Sequence, residues 1–286
     1  MGEKSIMKTQ AIIFSYNRPM QLDLLLHSIR KNVTGFDKIL VTFNYSDDKF
    51  FEGYERLMEK GLVDEWHCDK GIAYTPKFRN HIIDLIGDEY EYICFFSDDD
   101  IVYKKVSISE LVPFITDDVI SFPLRAGLNA SYSFYGGKTI IENPWGDYKD
   151  FGNFIKWNWT EYNPKRCNGY PIAFGDGGIF KTEVIRNLLK NVEGQSPNEL
   201  ERHLNTKEIR ETITQHYLVA YKHSVLVSTP VNNVNTFSPL FHGEKFSYPV
   251  AELNELYLKG YIINYDKIDF SNIKGTHQEL SLPLRG

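Results

Sequence analysis

Tyr92-Ile93-Cys94-Phe95-Phe96 is an apolar and aromatic run that passes directly into Ser97-Asp98-Asp99-Asp100. An unbroken run of this kind fits a strand covered on both faces. Three carboxylates in a row at its end repel one another and raise one another's pKa, so the chain needs something to compensate them. Hard divalent cations such as Mg²⁺ and Mn²⁺ prefer carboxylate and phosphate oxygens. In open α/β sheets ligands bind beyond the carboxyl ends of the strands, where this triplet falls. A metal bridging these carboxylates to a diphosphate would neutralise a phosphate-linked leaving group. The plainer alternative is a solvated acidic turn, and the position straight after Phe96 favours the metal site over it.

The preceding residues set the fold class. Gln10 to Ser15 (QAIIFS) is nearly continuous in apolar residues and reads as another covered strand. Tyr16-Asn17-Arg18-Pro19 breaks it, and Pro19 suits a first helical position, where a missing N–H would be unpaired anyway. Leu22, Leu25, Leu26 and Ile29 then recur at helical spacing, which predicts a helix over 19–31. Lys38 to Asn44 reads as a second strand, with a helix through Phe51, Tyr54, Leu57 and Met58 after it. A short strand near Glu65 to His67 and a helix from Pro76 to Ile86 lead to Tyr92. A helix over 107–115 and a strand over 119–122 follow. This alternation predicts an α/β protein with a Rossmann-like mixed sheet flanked by helices.

After Pro123 the pattern changes. Residues 125–175 are rich in Gly, Asn, Tyr and Trp and only weakly periodic. Helical patterns return at 181–191, 197–204 and 207–222, with a strand at 224–228 and an Asn-rich loop over 232–243. A last helix over 249–259 stops at Gly260. The organisation expected is a disordered leader over 1–8 and one domain over 9–286, divided at 123 and 245.

Composition removes several classes. The 286 residues carry a net charge of −6 and no basic run, against the clustered Lys and Arg that nucleic acid demands. Cys68, Cys94 and Cys167 form no CxxC pair, and their odd number suits reduced thiols in a cytoplasmic protein. No segment reads as a signal peptide or a bilayer span, which leaves association with a membrane surface as the only membrane contact expected. Aromatics reach 14% and suit either sugar stacking or a core.

Phe95-Phe96-Ser97-Asp98-Asp99-Asp100 resembles the DxD motif of the GT-A-fold, family 2-like nucleotide-sugar glycosyltransferases. Ile13-Phe14-Ser15-Tyr16-Asn17-Arg18-Pro19 is similar to their first strand and turn, and Gly71-Ile72-Ala73 with Arg79-Asn80 to the turn and Arg-Asn pair before the DxD strand. Gly175-Asp176-Gly177-Gly178-Ile179-Phe180 resembles their glycine-rich acceptor-side loop. The order and spacing of these motifs, over 9–205, carry the resemblance. It implies a nucleotide-sugar-binding half at 9–123, an irregular acceptor-binding half at 124–245, and a C-terminal helix and tail at 246–286.

Residue by residue, the resemblance implies that Ser15, Tyr16 and Asn17 line the base and ribose pocket, with Arg18 near the phosphates. Asn44 occupies a position often held by a base-reading Asp. Arg79 approaches the diphosphate or base, Asp98 and Asp99 face the nucleotide-sugar, and Asp100 binds Mn²⁺ or Mg²⁺ with Asp98 and a C-terminal His242. Scaffold roles stand beside these: packing for Tyr16, helix capping for Asn17 and an ion pair for Arg79. Gly177 and Gly178 would allow close approach of an oxygen-rich acceptor. An acidic residue on the following helix acts as base in inverting relatives, and Glu201, then Glu199, then Asp176 are the candidates. Glu in a first helical turn also serves the helix dipole. Trp145, Trp157, Trp159 and Tyr162 are candidates for sugar stacking or for anchoring the irregular region.

The expected activity is therefore an inverting, metal-dependent transfer of a sugar from a UDP-sugar to a saccharide or lipid-linked saccharide. The alternatives are a sugar-nucleotide nucleotidyltransferase, which calls for a Gly-rich basic loop after the first strand, and a non-catalytic carbohydrate- or metal-binding module.

Overall fold

The computed structural model describes residues 7–134, 139–161, 170–234 and 242–286. Residues 1–6 of the expected leader, most of the Asn-rich loop, Tyr162 and Cys167 lie outside them. Lys8, inside the expected leader, is already tied down, since its carbonyl accepts the N–H groups of Glu91 and Tyr92.

The elements that build the fold are, in order, β1 (Thr9–Tyr16), α1 (Pro19–Asn32), β2 (Lys38–Asn44), α2 (Asp48–Met58), β3 (Glu65–Cys68), α3 (Phe78–Leu85), β4 (Tyr92–Ser97), β5 (Asp100–Val102) and β6 (Val119–Phe122). Then come β7 (Tyr148–Asp150), β8 (Phe154–Asn158), β9 (Gly178–Lys181), α4 (Thr182–Lys190), α5 (Pro197–Leu204), β10 (Tyr217–Tyr221), β11 (Leu226–Ser228) and α6 (Val250–Leu258). Nine strands form one mixed sheet in the order β7-β8-β10-β6-β9-β4-β1-β2-β3. The part built first is parallel: β1 pairs in register with both β2 and β4, and β2 pairs with β3. β9 enters antiparallel against β4 and joins the two halves of the chain in one sheet.

The apolar runs are continuous because both faces of the sheet are covered. Ala11 and Ile13 of β1, with Cys94 and Phe96 of β4, face a core built with α1, α2 and α6, where Leu22, Leu25, Tyr54, Leu253 and Tyr257 are buried. The alternate residues Ile12, Phe14, Ile93 and Phe95 face a second core with Phe78, Ile82, Ile185, Leu189, Leu200 and Leu204 of α3, α4 and α5. The period-two alternation of a strand thus divides one apolar run between two cores. Each such side chain contributes about 1.5–3 kcal/mol on burial.

Two expectations need correction. The helix expected over 207–222 is a single turn, Lys207–Arg210, followed by strand β10. Tyr217–Tyr221 is five residues long and pairs on both sides, with β8 and β6, so sheet pairing overrides a weak helical pattern. The helix expected over 107–115 is split into an α-turn, Ile108–Leu111, and a 3-10 turn, Val112–Phe114, because Pro113 has no N–H to continue the ladder. Among the described residues no helix is long and apolar enough to cross a membrane.

Candidate functional site

The chain leaves β1 toward β2 and β3 on one side, then returns with β4 on the other, so the strand order reverses between β1 and β4. A crevice opens at such a switch point beyond the carboxyl ends of the strands. Here it is a cavity of about 490 Å³. One end is walled by Phe14, Tyr16, Tyr74 and Phe78. The acidic strand end, with Arg18 and Asn232, forms the middle. Arg125, Tyr170, Gly175 and Glu201 complete the lining together with Phe174, which stacks on Phe14 with ring centroids 5.9 Å apart.

Asp98 stitches the two central strands together. Its Oδ2 accepts the Ser15 hydroxyl and the Tyr16 N–H, each at 2.9 Å, and its Oδ1 accepts Arg18 Nη1 at 2.9 Å. Arg18 spends its other donors on Asn232, from Nε to the side-chain oxygen and from Nη2 to the backbone carbonyl, both at 2.8 Å. The guanidinium therefore closes a clasp between the β1 turn, the β4 end and the Asn232 loop. The coulombic pull of Asp98 and Asp99 raises its pKa further against the opposing effect of burial.

Asp100 is fully buried. It accepts the Ser97 N–H at 2.9 Å and the Ser228 hydroxyl at 2.5 Å. Burial, then the neighbouring Asp99, hold its carboxyl well above the usual carboxylate range. Asp99 is the triplet carboxylate that lines the cavity with part of its side chain exposed, 3.4 Å from Arg18 Nη1. The ligand set expected for a metal, Asp100, Asp98 and His242, is not assembled. Asp98 borders the cavity and Asp100 is turned away from it, all four of their carboxylate oxygens are engaged by protein donors, and His242 is an exposed residue at the cavity wall. Among the described residues no group of three or more His, Cys, Asp or Glu side chains is placed to hold a metal ion. A cation can still fit through one protein carboxylate, since Mg²⁺-type ions are commonly held by one or two carboxylates plus substrate phosphates. Asp99 meets that requirement.

The rest of the lining holds groups that the sequence did not single out. Arg125 Nη1 donates to the Gly175 carbonyl at 2.7 Å, to Ser228 Oγ at 2.8 Å and to His277 Nε2 at 3.0 Å. Ser228 passes the contact on to Asp100, so the acidic strand end and the Gly175 loop share one hydrogen-bond chain. Burial and the adjacent Arg125 hold the His277 pKa well below its ordinary value, so the ring is neutral and accepts through Nε2. Neither residue sits in a motif. His277 is the last histidine of the chain, which was the one available signal.

Glu201 lines the cavity and accepts the Tyr170 hydroxyl at 2.9 Å and the Phe174 N–H at 2.6 Å; burial raises its pKa. Asp176 lies behind the lining, with one buried oxygen that has no partner. Burial pushes it up to about 7, against the pull of Arg125. Glu199 is outside the cavity. Its carboxylate accepts the Gln195 N–H while Ser196 Oγ accepts the Glu199 N–H, a reciprocal cap at the start of α5.

Other expected residues also have structural duties. Asn17 adopts φ 56° and bonds Ser46 through both ends of its amide, which staples the β1 and β2 turns together away from the cavity. It does not cap α1, whose N-cap residue is Arg18. Arg79 does not line the cavity; it bonds Glu193 and the Val192 carbonyl. Gly177 and Gly178 do not line the cavity; Gly177 has φ +63° and sits against Leu124. They lead into strand β9 rather than a helix start. The close approach is at Gly175, where an added Cβ would meet Ser97 Oγ at 2.5 Å. Trp145, Trp157 and Trp159 are all buried and pack in the core. Ser15, Tyr16, Asn44, Asp98 and Asp99 do meet at the cavity, with Arg18.

No family model matches the chain, and no curated protein matches it in sequence. Among solved structures, S. aureus TarS 1-349 in complex with UDP-GlcNAc superposes with a TM-score of 0.50 at 15% identity, covering 89% of this chain and 67% of that one. The longer S. aureus TarS structure gives 0.45 at 13% identity, and the present chain spans only 35% of its length. The 4-diphosphocytidyl-2C-methyl-D-erythritolsynthase from Anaerococcus prevotii DSM 20548 gives 0.40 at 10% identity, over 78% of this chain and 92% of that one. The fold is thus a mixed α/β sheet flanked by helices, of the architecture seen in the UDP-GlcNAc-bound TarS fragment.

Proposed function

We propose that the protein is a glycosyltransferase that moves a sugar from a nucleotide-sugar donor, a UDP-sugar, to a hydroxyl of a saccharide or lipid-linked saccharide. The observation that carries this reading is the single cavity at the switch point, which brings an aromatic end, an acidic strand end and an acceptor-side carboxylate to one space. A flat base, a diphosphate and an attacking hydroxyl call for those three environments in one space. The TarS fragment of the same architecture was crystallised with UDP-GlcNAc, which supports this donor class.

Glu201 is the base in this reading. A base whose pKa lies nearer neutrality deprotonates an attacking hydroxyl more effectively, and burial moves Glu201 that way. It takes the acceptor hydroxyl proton as that oxygen attacks the anomeric carbon. The bond from this carbon to the diphosphate oxygen breaks on the opposite side, with inversion. Tyr170 and the Phe174 N–H hold the carboxylate in place. The carboxylates of Asp69, Asp98, Asp99 and Glu201 line the cavity against the guanidiniums of Arg18 and Arg125, so a diphosphate would enter an already acidic space. Asp99 would hold a divalent cation, Mn²⁺ or Mg²⁺, which would supply charge to neutralise a departing diphosphate. The nucleotidyltransferase alternative needs phosphate donors at the β1 turn, where Arg18 is spent on Asp98 and Asn232 and Pro19 has no N–H.

Isothermal titration separates an enzyme from a lectin. UDP with Mn²⁺ is expected to bind and free sugars alone to bind weakly; binding of free sugars with no response to UDP would overturn the reading.

A further inference from the structure

Asp69 follows β3 at the aromatic end of the cavity. Its N–H donates to the Phe43 carbonyl at 2.9 Å, and its own carbonyl accepts the N–H groups of Ile72 at 2.8 Å and Ala73 at 2.9 Å. The chain after β3 is thereby turned back over the strand ends, a path that Gly71 permits at φ +81°. Tyr74 takes φ 61°, which a tyrosine adopts at a cost, and its N–H is pinned to the Gln195 carbonyl at 2.6 Å. The Tyr74 ring meets Tyr16 edge-on, with centroids 6.3 Å apart. With Phe14, Ala73 and Phe78 these rings bound a slot suited to a flat ring.

One side chain in this slot is left unsatisfied. Asp69 is 5% exposed. One carboxylate oxygen has only the Thr42 hydroxyl, at 3.5 Å, the outer limit of a hydrogen bond, and the other has no partner. Burial pushes the carboxyl up to about 6, so it is still largely ionised at neutral pH. A buried carboxylate without a donor is costly and asks for one from a ligand. Asn44, beside it, has turned its side-chain oxygen to the N–H of Tyr45 at 2.8 Å. Among the described residues lining this end of the cavity, Asp69 has a buried carboxylate oxygen with no partner.

We infer that Asp69 selects the base of the donor by accepting a single N–H from an imide ring, which makes the preferred nucleotide a uracil type. This rests on the nucleotide-sugar reading above and deepens it. One unpaired oxygen matches the one imide N–H of uracil or its 5-methyl analogue. Cytosine presents a lone pair at the same ring position, which a carboxylate repels. Guanine presents two parallel N–H groups that a carboxylate can accept together, so GDP is the competitor that the titration has to separate from UDP.

The test compares UDP, CDP and GDP by titration, in Mn²⁺, on the wild-type protein, Asp69→Asn and Asp69→Ser, with a thermal melt of each. Wild type is expected to prefer UDP over CDP by about tenfold or more, the size of a hydrogen bond to a charged group. Asp69→Asn removes the charge and can offer an N–H to cytosine, so the preference should collapse to near unity while the melting temperature holds or rises. Asp69→Ser should lose UDP affinity without gaining CDP affinity. A wild-type preference for CDP or GDP, or retention of the UDP preference in either variant, overturns the assignment. If no nucleoside diphosphate binds the wild type, the nucleotide-sugar reading itself falls, which is a distinct result from failure of Asp69 alone.

Discussion

Arg18 and Asp98 form a buried ion pair, 2.9 Å apart, in which all three guanidinium nitrogens of the arginine donate, and both oxygens of the aspartate accept, inside the protein. An arginine expected at the phosphates is instead the bolt that holds the acidic strand end to the Asn232 loop. Arg18→Ala should therefore destabilise the fold by about 3–5 kcal/mol, because it leaves a buried charge unpaired. Arg18→Lys should recover only part of this, since an ammonium cannot span Asp98 and Asn232 together. Urea denaturation checks it. A variant with unchanged stability and only a raised donor KM would return Arg18 to the phosphates.

The triplet should divide by position. Asp99→Ala is expected to abolish turnover with little loss of stability, because its side chain is partly exposed at the cavity and bonds few groups. Asp100→Ala should lower stability by about 1–3 kcal/mol, since the Ser97 N–H and the Ser228 hydroxyl are left without an acceptor. Parallel melts and assays of the two variants separate them. Equal stability with equal loss of activity would contradict the division.

Glu201→Gln should lower kcat by about 10²–10⁴-fold with donor affinity retained. Gln is nearly isosteric: its carbonyl can still accept the Phe174 N–H, and its amide can donate to the Tyr170 oxygen. Glu199→Gln should leave turnover unchanged and cost at most ~1 kcal/mol of stability, as expected for a cap. Loss of turnover in Glu199→Gln with Glu201→Gln active would reassign the base.

Asp176 gives a pH signature. Its folded pKa of about 7 lies above the ordinary 3.8, so the folded state favours the protonated form. Its contribution to stability is full below pH 3.8 and is lost as pH rises toward 7, with a slope of at most about 1.4 kcal/mol per pH unit. Asp176→Asn should remove that slope and be more stable than the wild type at pH 8. Denaturation curves between pH 4 and 8 measure it, and parallel profiles for the two proteins would refute it.

Much of the scaffold was legible because covered strands announce themselves as apolar runs. Gln10–Ser15, Lys38–Asn44 and Tyr92–Phe96 each mark a central strand. The short run at Tyr217–Tyr221 was not, since five apolar residues fit either element until pairing partners are known. The site was legible as a place but not as a set of roles. Successive residues at a strand end point to different sides, so the sequence shows that three carboxylates meet there but not that Asp99 is the more exposed one while Asp98 and Asp100 are tied up by protein donors. Arg18 and Asp98 are 80 residues apart, and their pairing consumes both. Arg125, His277 and Asp69 gain their importance only from what folding places beside them.

Donor hydrolysis tests the glycosyltransferase reading most directly. UDP-, GDP- and dTDP-sugars should be incubated with the protein, with Mn²⁺ and with EDTA, and free sugar followed over time. Slow release of sugar from a UDP-sugar is expected in Mn²⁺, with loss of that release in EDTA and its absence in Asp99→Ala. No hydrolysis of any donor, together with no UDP binding, would contradict the glycosyltransferase reading; hydrolysis undiminished in EDTA would contradict the role given to Asp99 and its cation.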